Sequence, residues 1–204
     1  MHFSKRTCQE LSDLEIIQKA LEEVDYFSCL YERYEDQLLR YIKRLGGVTN
    51  EEAEDILQEA FVKIWQNLHA FNQNLKLSSW LYRIVHNQAV SYVRKKKSYG
   101  KNQKVAFDET FHASLPENGQ EQHLKLDVET EENIRAIIDQ LPLKYKEVIV
   151  LLFLENMSYE EISDVLKIPE GTVAARVNRA KKAFRKQSAK HPVLNALLQN
   201  KRSI

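Results

Sequence analysis

Apolar residues recur along this chain at helical spacing, and no stretch alternates apolar and polar positions as a half-buried strand would. The pattern predicts an all-α protein. Ser12-Asp13-Leu14-Glu15 is a capping box, in which hydroxyl and carboxylate each satisfy the other residue's unpaired backbone N–H; it opens a short helix to about Val24. A second helix runs from about Tyr26 to Leu45 and stops at Gly46-Gly47. Thr49-Asn50-Glu51-Glu52 is a second capping box, starting a helix to about Ala70, and a fourth helix runs from about Ser79 to Lys97. Over 98–126 the stripe dissolves around Gly100, Pro116 and Gly119, and a structureless stretch of that length reads as a flexible linker. Periodicity resumes from Asp127 to Leu141, and Pro142 begins the next helix. Its Val148, Ile149, Leu151, Leu152 and Phe153 are apolar enough to centre a second core. Ser158-Tyr159-Glu160-Glu161 is a third capping box; a short helix to Leu166, a turn from Lys167 to Gly171 and a longer helix to about Lys190 follow. Two small helical domains are expected, 1–97 and 127–190, joined by the linker 98–126 and followed by a tail, 191–204.

Composition narrows the class. The longest apolar run, Val148 to Leu154, is far short of the roughly 20 residues that span a bilayer, so no membrane insertion is expected. Cys8 and Cys29 form no CxxC pair and suggest no disulfide framework, which points to a reducing, cytoplasmic setting. The net charge of +1 is uninformative, but its distribution is not. Residues 76–104 carry 8 Lys/Arg and no acid, and residues 172–204 carry 9 and no acid, each closing an acidic stretch. Cations complementing a helix macrodipole account for a few terminal residues only. Two long acid-free blocks read as two separate contacts with a polyanion.

Residues 158–186 have the form of a helix-turn-helix. The first helix offers Ile162, Val165 and Leu166 to a core. On the second, Val173, Val177, Ala180 and Phe184 fall on one stripe, while Ala175, Arg179, Lys182 and Lys186 lie opposite, with Thr172 and Arg176 on one flank. Such a helix fits a major groove, its first residues reaching base edges and its later cations meeting phosphates. Tyr159-Glu160-Glu161-Ile162, Ile168-Pro169-Glu170-Gly171-Thr172-Val173 and Arg176-Val177-Asn178-Arg179-Ala180 resemble region 4 of extracytoplasmic-function sigma factors of the sigma-70 family. The resemblance implies recognition of the −35 promoter element through Thr172, Ala174, Ala175, Arg176, Arg179 and Lys182. Where that family often has a basic residue and a serine, this chain has Ala174-Ala175. An altered base preference is therefore expected, since small apolar groups still contact thymine methyls.

The first domain resembles region 2 of the same family, over Tyr31 to Tyr41, Ala53 to Phe61, Ile64-Trp65 and Trp80 to Asn87, running on to Arg94. On the third helix Ala53, Ile56, Leu57, Ala60, Phe61, Ile64 and Leu68 share a core face. Asp55, Gln58, Glu59 and Val62 share the other, which the resemblance makes the docking face for the β′ clamp helices of core RNA polymerase. Read alone, that face is a solvated acidic one, and Glu51, Glu52, Glu54 and Asp55 serve the helix dipole rather than catalysis. On the fourth helix Trp80, Arg83, Asn87, Ser91, Arg94 and Lys95 are the candidate contacts to the melted −10 strand, with the loop Phe71 to Ser79, where a flipped base can be held. Trp80 reads equally well as a strand separator or a core anchor. Ser91 stands where the family often has Asp, and His86 reads as a surface histidine on this helix. The resemblance further implies the polymerase β flap and promoter DNA as partners, commonly an anti-sigma factor, a monomer when free, no cofactor and no enzymatic activity. The competing reading is a helix-turn-helix regulator that is not a polymerase subunit. Such regulators are usually symmetric dimers, and no dimerisation helix stands out.

Overall fold

Two of the three capping boxes are seen complete. The computed structural model describes residues 5–73, 75–99 and 128–189 of the chain. Within it, helix α2 (Asp13–Glu22) begins with Glu15 N–H donating to Ser12 Oγ at 3.3 Å, while Ser12 N–H donates to Glu15 Oε2 at 2.7 Å. Helix α4 (Asn50–Gln66) repeats the arrangement with Thr49 and Glu52. Ahead of them lies α1 (Lys5–Glu10), a six-residue helix that the pattern does not announce. Helix α3 (Phe27–Leu45) ends where Gly46 and Gly47 turn the chain at φ 74° and 83°, a left-handed conformation that favours glycine. Helix α5 (Leu77–Tyr99) starts two residues before its expected position and runs two beyond it.

Described residues divide into two compact units, the first built on α2 to α5 and also taking in residues 160–167. Its core follows the apolar stripes: Leu30, Leu38, Tyr41 and Ile42 from α3, Ile56 and Ile64 from α4, and Leu81 and Tyr82 from α5 are at most 1% exposed. Burying a side chain of this size stabilises by roughly 1.5–3 kcal/mol, and the contacts made here orient α4 and α5 against one another.

Helix α6 (Val128–Gln140), α7 (Leu143–Ile149), α8 (Tyr159–Leu166) and α9 (Glu170–Ser188) follow. As expected, Pro142 starts α7; its carbonyl accepts from Tyr145 and Lys146 N–H at 2.8 and 3.1 Å. The apolar run then differs from expectation. Val150–Leu154 winds as a π-helix, in which only Val150 and Leu151 are buried, while Phe153 is 50% exposed beneath the Lys181 ammonium. A wider turn changes which side each residue faces, so the run cannot present all its members to one core. The turn after α8 also differs. It closes over residues 167–169, with Lys167 at φ 54°, and Gly171 already lies in the first turn of α9. The linker after Tyr99 and the tail 191–204 lie outside the described residues. Among those described, no helix is long and apolar enough to cross a membrane.

Candidate nucleic-acid and partner interfaces

Helix α4 has two working sides. Asp55, Gln58, Glu59 and Val62 all stand in solvent, Val62 at 55% exposure, with Trp65 partly exposed one turn on. Trp65 and Phe61 meet Phe27 edge-on from α3, which ties this face to the core. The opposite edge of α4 grips α5. Glu52 takes hydrogen bonds from Tyr92 Oη at 2.9 Å and from Lys96 Nζ at 2.7 Å, besides capping its own helix. Burial opposes the ionisation of Glu52, but Lys96, the Thr49 N–H and Tyr92 outweigh it and hold the carboxyl below the usual range. Further along, Gln88 donates to Glu59 and accepts from Lys63. Glu59 is thus at once part of the outer acidic face and a brace for α5.

On α5, Asn87, Ser91, Arg94 and Lys95 are exposed and Arg83 is half-exposed. Spacings of four, four and three residues put Arg83, Asn87, Ser91 and Arg94 on one side of the helix. Trp80 is elsewhere. It is 6% exposed, with its ring 5.3 Å from that of Phe71, so it anchors the loop from within the core. His86 is a correction to the surface reading. It is 7% exposed, its Nδ1 shares a 2.8 Å hydrogen bond with Tyr41 Oη, and burial together with the Arg94 charge pushes its pKa down to about 4. The helical stripe could not reveal this, because the partner comes from α3.

Beside the loop that precedes α5 lies an open cavity of about 320 Å³. Phe71, Gln73, Leu75, Lys76, Leu77 and Ser78 line one side; Asp13 and Leu14, at the start of α2, line the other. Asp13 is fixed there by Arg33 Nη1 at 2.7 Å and Tyr34 Oη at 2.6 Å. The sequence reading missed this α2 wall, since the signal is a contact between residues 20 and more apart.

The cysteine reading is also corrected. Cys8 and Cys29 form a disulfide, with Cα atoms 5.1 Å apart. Spacing in sequence carries no hint of it; the unannounced α1 brings Cys8 against α3.

In the second unit, Val173, Val177 and Ala180 on α9 are fully buried as the stripe requires, while Phe184 is half-buried. Thr172, Ala175, Arg179 and Lys182 are exposed and Ala174 is half-exposed. Arg176 behaves differently from the other cations. Its Nη1 donates to Glu147 Oε1 of α7 at 2.7 Å, in a pair 27% and 11% exposed. Helix α8, whose residues 160–167 group with the first unit, buries Ile162 and Val165 and half-buries Leu166.

Comparison with known proteins matches residues 30–99 to sigma-70 region 2 and residues 131–184 to sigma-70 region 4. The chain is 36% identical over 181 residues to the ECF RNA polymerase sigma factor SigW of Bacillus subtilis, covering 84% of this chain and 96% of that one. It is 28% identical to the ECF RNA polymerase sigma-E factor of Escherichia coli, covering 86% and 94%. Among solved structures, the sigma factor RpoE of Bartonella quintana, in complex with the anti-sigma factor NepR, is similar in fold, with a TM-score of 0.61 and 23% identity over 81% of this chain and 98% of that one. CnrH, solved with the cytosolic domain of CnrY, gives a TM-score of 0.60 with 21% identity over 91% and 96%.

Proposed function

We propose a residue-level division of labour for this chain, which belongs to the ECF RNA polymerase sigma factors. As such it binds core RNA polymerase and directs it to promoters; it is an initiation factor and not an enzyme. The α4 face of Asp55, Gln58, Glu59 and Val62 docks on the β′ clamp helices, an acidic and partly apolar surface suited to a basic helical partner. The α5 face of Arg83, Asn87, Ser91, Arg94 and Lys95 tracks the melted −10 strand, whose bases leave the stack once the duplex opens. The loop cavity beside Phe71 receives one of those bases, and Trp80 supports the loop from behind. Thr172, Ala174, Ala175, Arg179 and Lys182 enter the −35 major groove, while Arg176, held by Glu147, sets the angle of α9. Neither unit needs tight binding alone, because the polymerase holds both and the linker sets their effective concentration. The polymerase β flap is a further contact for the second unit. The working compartment is the cytoplasm, and an anti-sigma factor is a further partner to be sought.

The observation that carries this reading is the pairing, in one chain and in order, of two acid-free helical faces on separate units with an acidic face on α4 beside the first. Run-off transcription by core polymerase from the same source, with and without the protein, on fragmented genomic DNA is the test. Discrete new transcripts are expected, starting downstream of a shared pair of elements. Binding of isolated duplex sites with no transcript would favour a helix-turn-helix regulator instead.

A further inference from the structure

We propose that the Cys8–Cys29 disulfide is a redox latch on the −10 cavity: oxidised protein holds the single strand more tightly than reduced protein. The inference rests on the −10 reading above and adds its regulation. Cys8 is 6% exposed and Cys29 fully buried, so the bond joins α1 to the inside of α3. At six residues, α1 is far shorter than the roughly 12–15 that an isolated helix needs, so its order comes from what it is tied to. The remaining ties run through Arg33, with Tyr34 Oη donating to Asp13 Oδ2 at 2.6 Å. Arg33 Nη2 donates to the Cys8 and Leu11 carbonyls, both at 2.6 Å, and Nη1 pairs with Asp13.

Residues 8–13 are therefore stitched to α3 as one strip, covalently at one end and by ions at the other. Asp13 and Leu14 at its far end are the α2 wall of the cavity. Helix α2 also packs on the 3-10 turn Leu68–Ala70, which leads into the loop that forms the opposite wall. Fixing Cys8 thus pre-organises the wall before the strand arrives, and pre-organisation strengthens binding by removing an ordering cost.

Opening the latch is thiol–disulfide exchange with a dithiol. One thiolate attacks Sγ of Cys8, the more exposed of the two residues, and expels the Cys29 thiolate; the second dithiol sulfur then releases Cys8. Two electrons and two protons pass to the protein, leaving two cysteine thiols and one oxidised dithiol. A disulfide oxidant reverses the reaction. In a reducing compartment the latch rests open, so oxidation is the signal that closes it.

The test uses the full chain assembled with core polymerase, reduced with dithiothreitol or oxidised with excess glutathione disulfide, and thiol state read by alkylation and mass spectrometry. The probe is a fluorescent single-stranded oligonucleotide carrying the non-template −10 strand of a promoter mapped by run-off transcription. Oxidised wild type should bind on the order of tenfold more tightly. Cys8→Ser and Cys29→Ser should both bind like reduced wild type in either condition. Leu14→Asp, at an exposed position, should weaken oxidised binding with the disulfide intact. Equal binding by the two wild-type forms, a redox difference that survives in the serine variants, or two free thiols after oxidation overturns the latch alone. If neither form binds the strand while the holoenzyme still transcribes, the −10 reading fails and takes the latch with it.

Discussion

The two basic helices, α5 and α9, meet the same electrostatic problem with different supports. Helix α5 is braced along its length by α4, through Glu52 to Tyr92 and Lys96 and through Glu59 and Lys63 to Gln88. Its buried side adds the Tyr41–His86 hydrogen bond. Helix α9 packs by an apolar stripe, and the ion pair from Arg176 to Glu147 ties it to α7. In the first unit, then, the face proposed for polymerase and the face proposed for DNA share one helix–helix seam, and a change in one is felt by the other. In the second, cations that reach outward are separable from the cation that holds the helix.

Acid should break the comparison most strongly, because it acts on the first unit through His86. The folded imidazole takes a proton only near pH 4, whereas the unfolded one does so near 6.5. The unfolded state therefore binds more protons between these values, and the His86 contribution to stability falls as pH drops from about 6.5 to about 4, then levels off. The loss is about 3 kcal/mol, at 1.36 kcal/mol per pH unit. Both tryptophans of the chain, Trp65 and Trp80, lie in the first unit, so denaturant unfolding followed by their emission isolates it. His86→Gln should flatten the slope between pH 6.5 and 5; an unchanged slope would assign the acid sensitivity to another group.

Next in size, Arg176→Ala should cost the second unit about 2 kcal/mol, because the largely buried Glu147 carboxylate loses the Arg176 guanidinium; the value is discounted from a fully buried pair for the partial exposure of Arg176. Thermal unfolding of the single and double variants with Glu147→Gln measures the coupling. Additive losses would return Arg176 to the list of free DNA contacts. By contrast, Arg179→Ala should leave stability within about 0.5 kcal/mol and weaken −35 recognition by about 1–3 kcal/mol. Footprinting or competition with −35 variants on the assembled holoenzyme reads this, and unaltered base preference would remove Arg179 from the groove. The smallest effect is expected at the seam. Lys96→Ala should cost about 1 kcal/mol or less, since the pair with Glu52 is partly exposed. It should nevertheless lower both polymerase affinity and −10 strand affinity, and a loss confined to one of them would argue against coupling through α4 and α5.

Much of this was legible without coordinates. Capping boxes at Ser12 and Thr49, the stop at Gly46-Gly47 and the start at Pro142 depend on residues within a few positions of one another, and local chemistry decides them. The stripes of α4 and α9 follow from helical geometry, as do the outward positions of Asp55, Gln58, Arg94, Arg179 and Lys182. What tertiary structure decided are the places where a side chain's partner is distant in the chain. Trp80 and His86 are buried because Phe71 and Tyr41 meet them. Arg176 is committed to Glu147, and Phe153 is turned outward by a π-helix. Cys8 meets Cys29 because the first residues fold back onto α3, where Arg33 holds the Cys8 and Leu11 carbonyls. A one-dimensional pattern records which side of its own helix a residue faces, but not what stands across from it; that depends on how helices from remote parts of the chain pack.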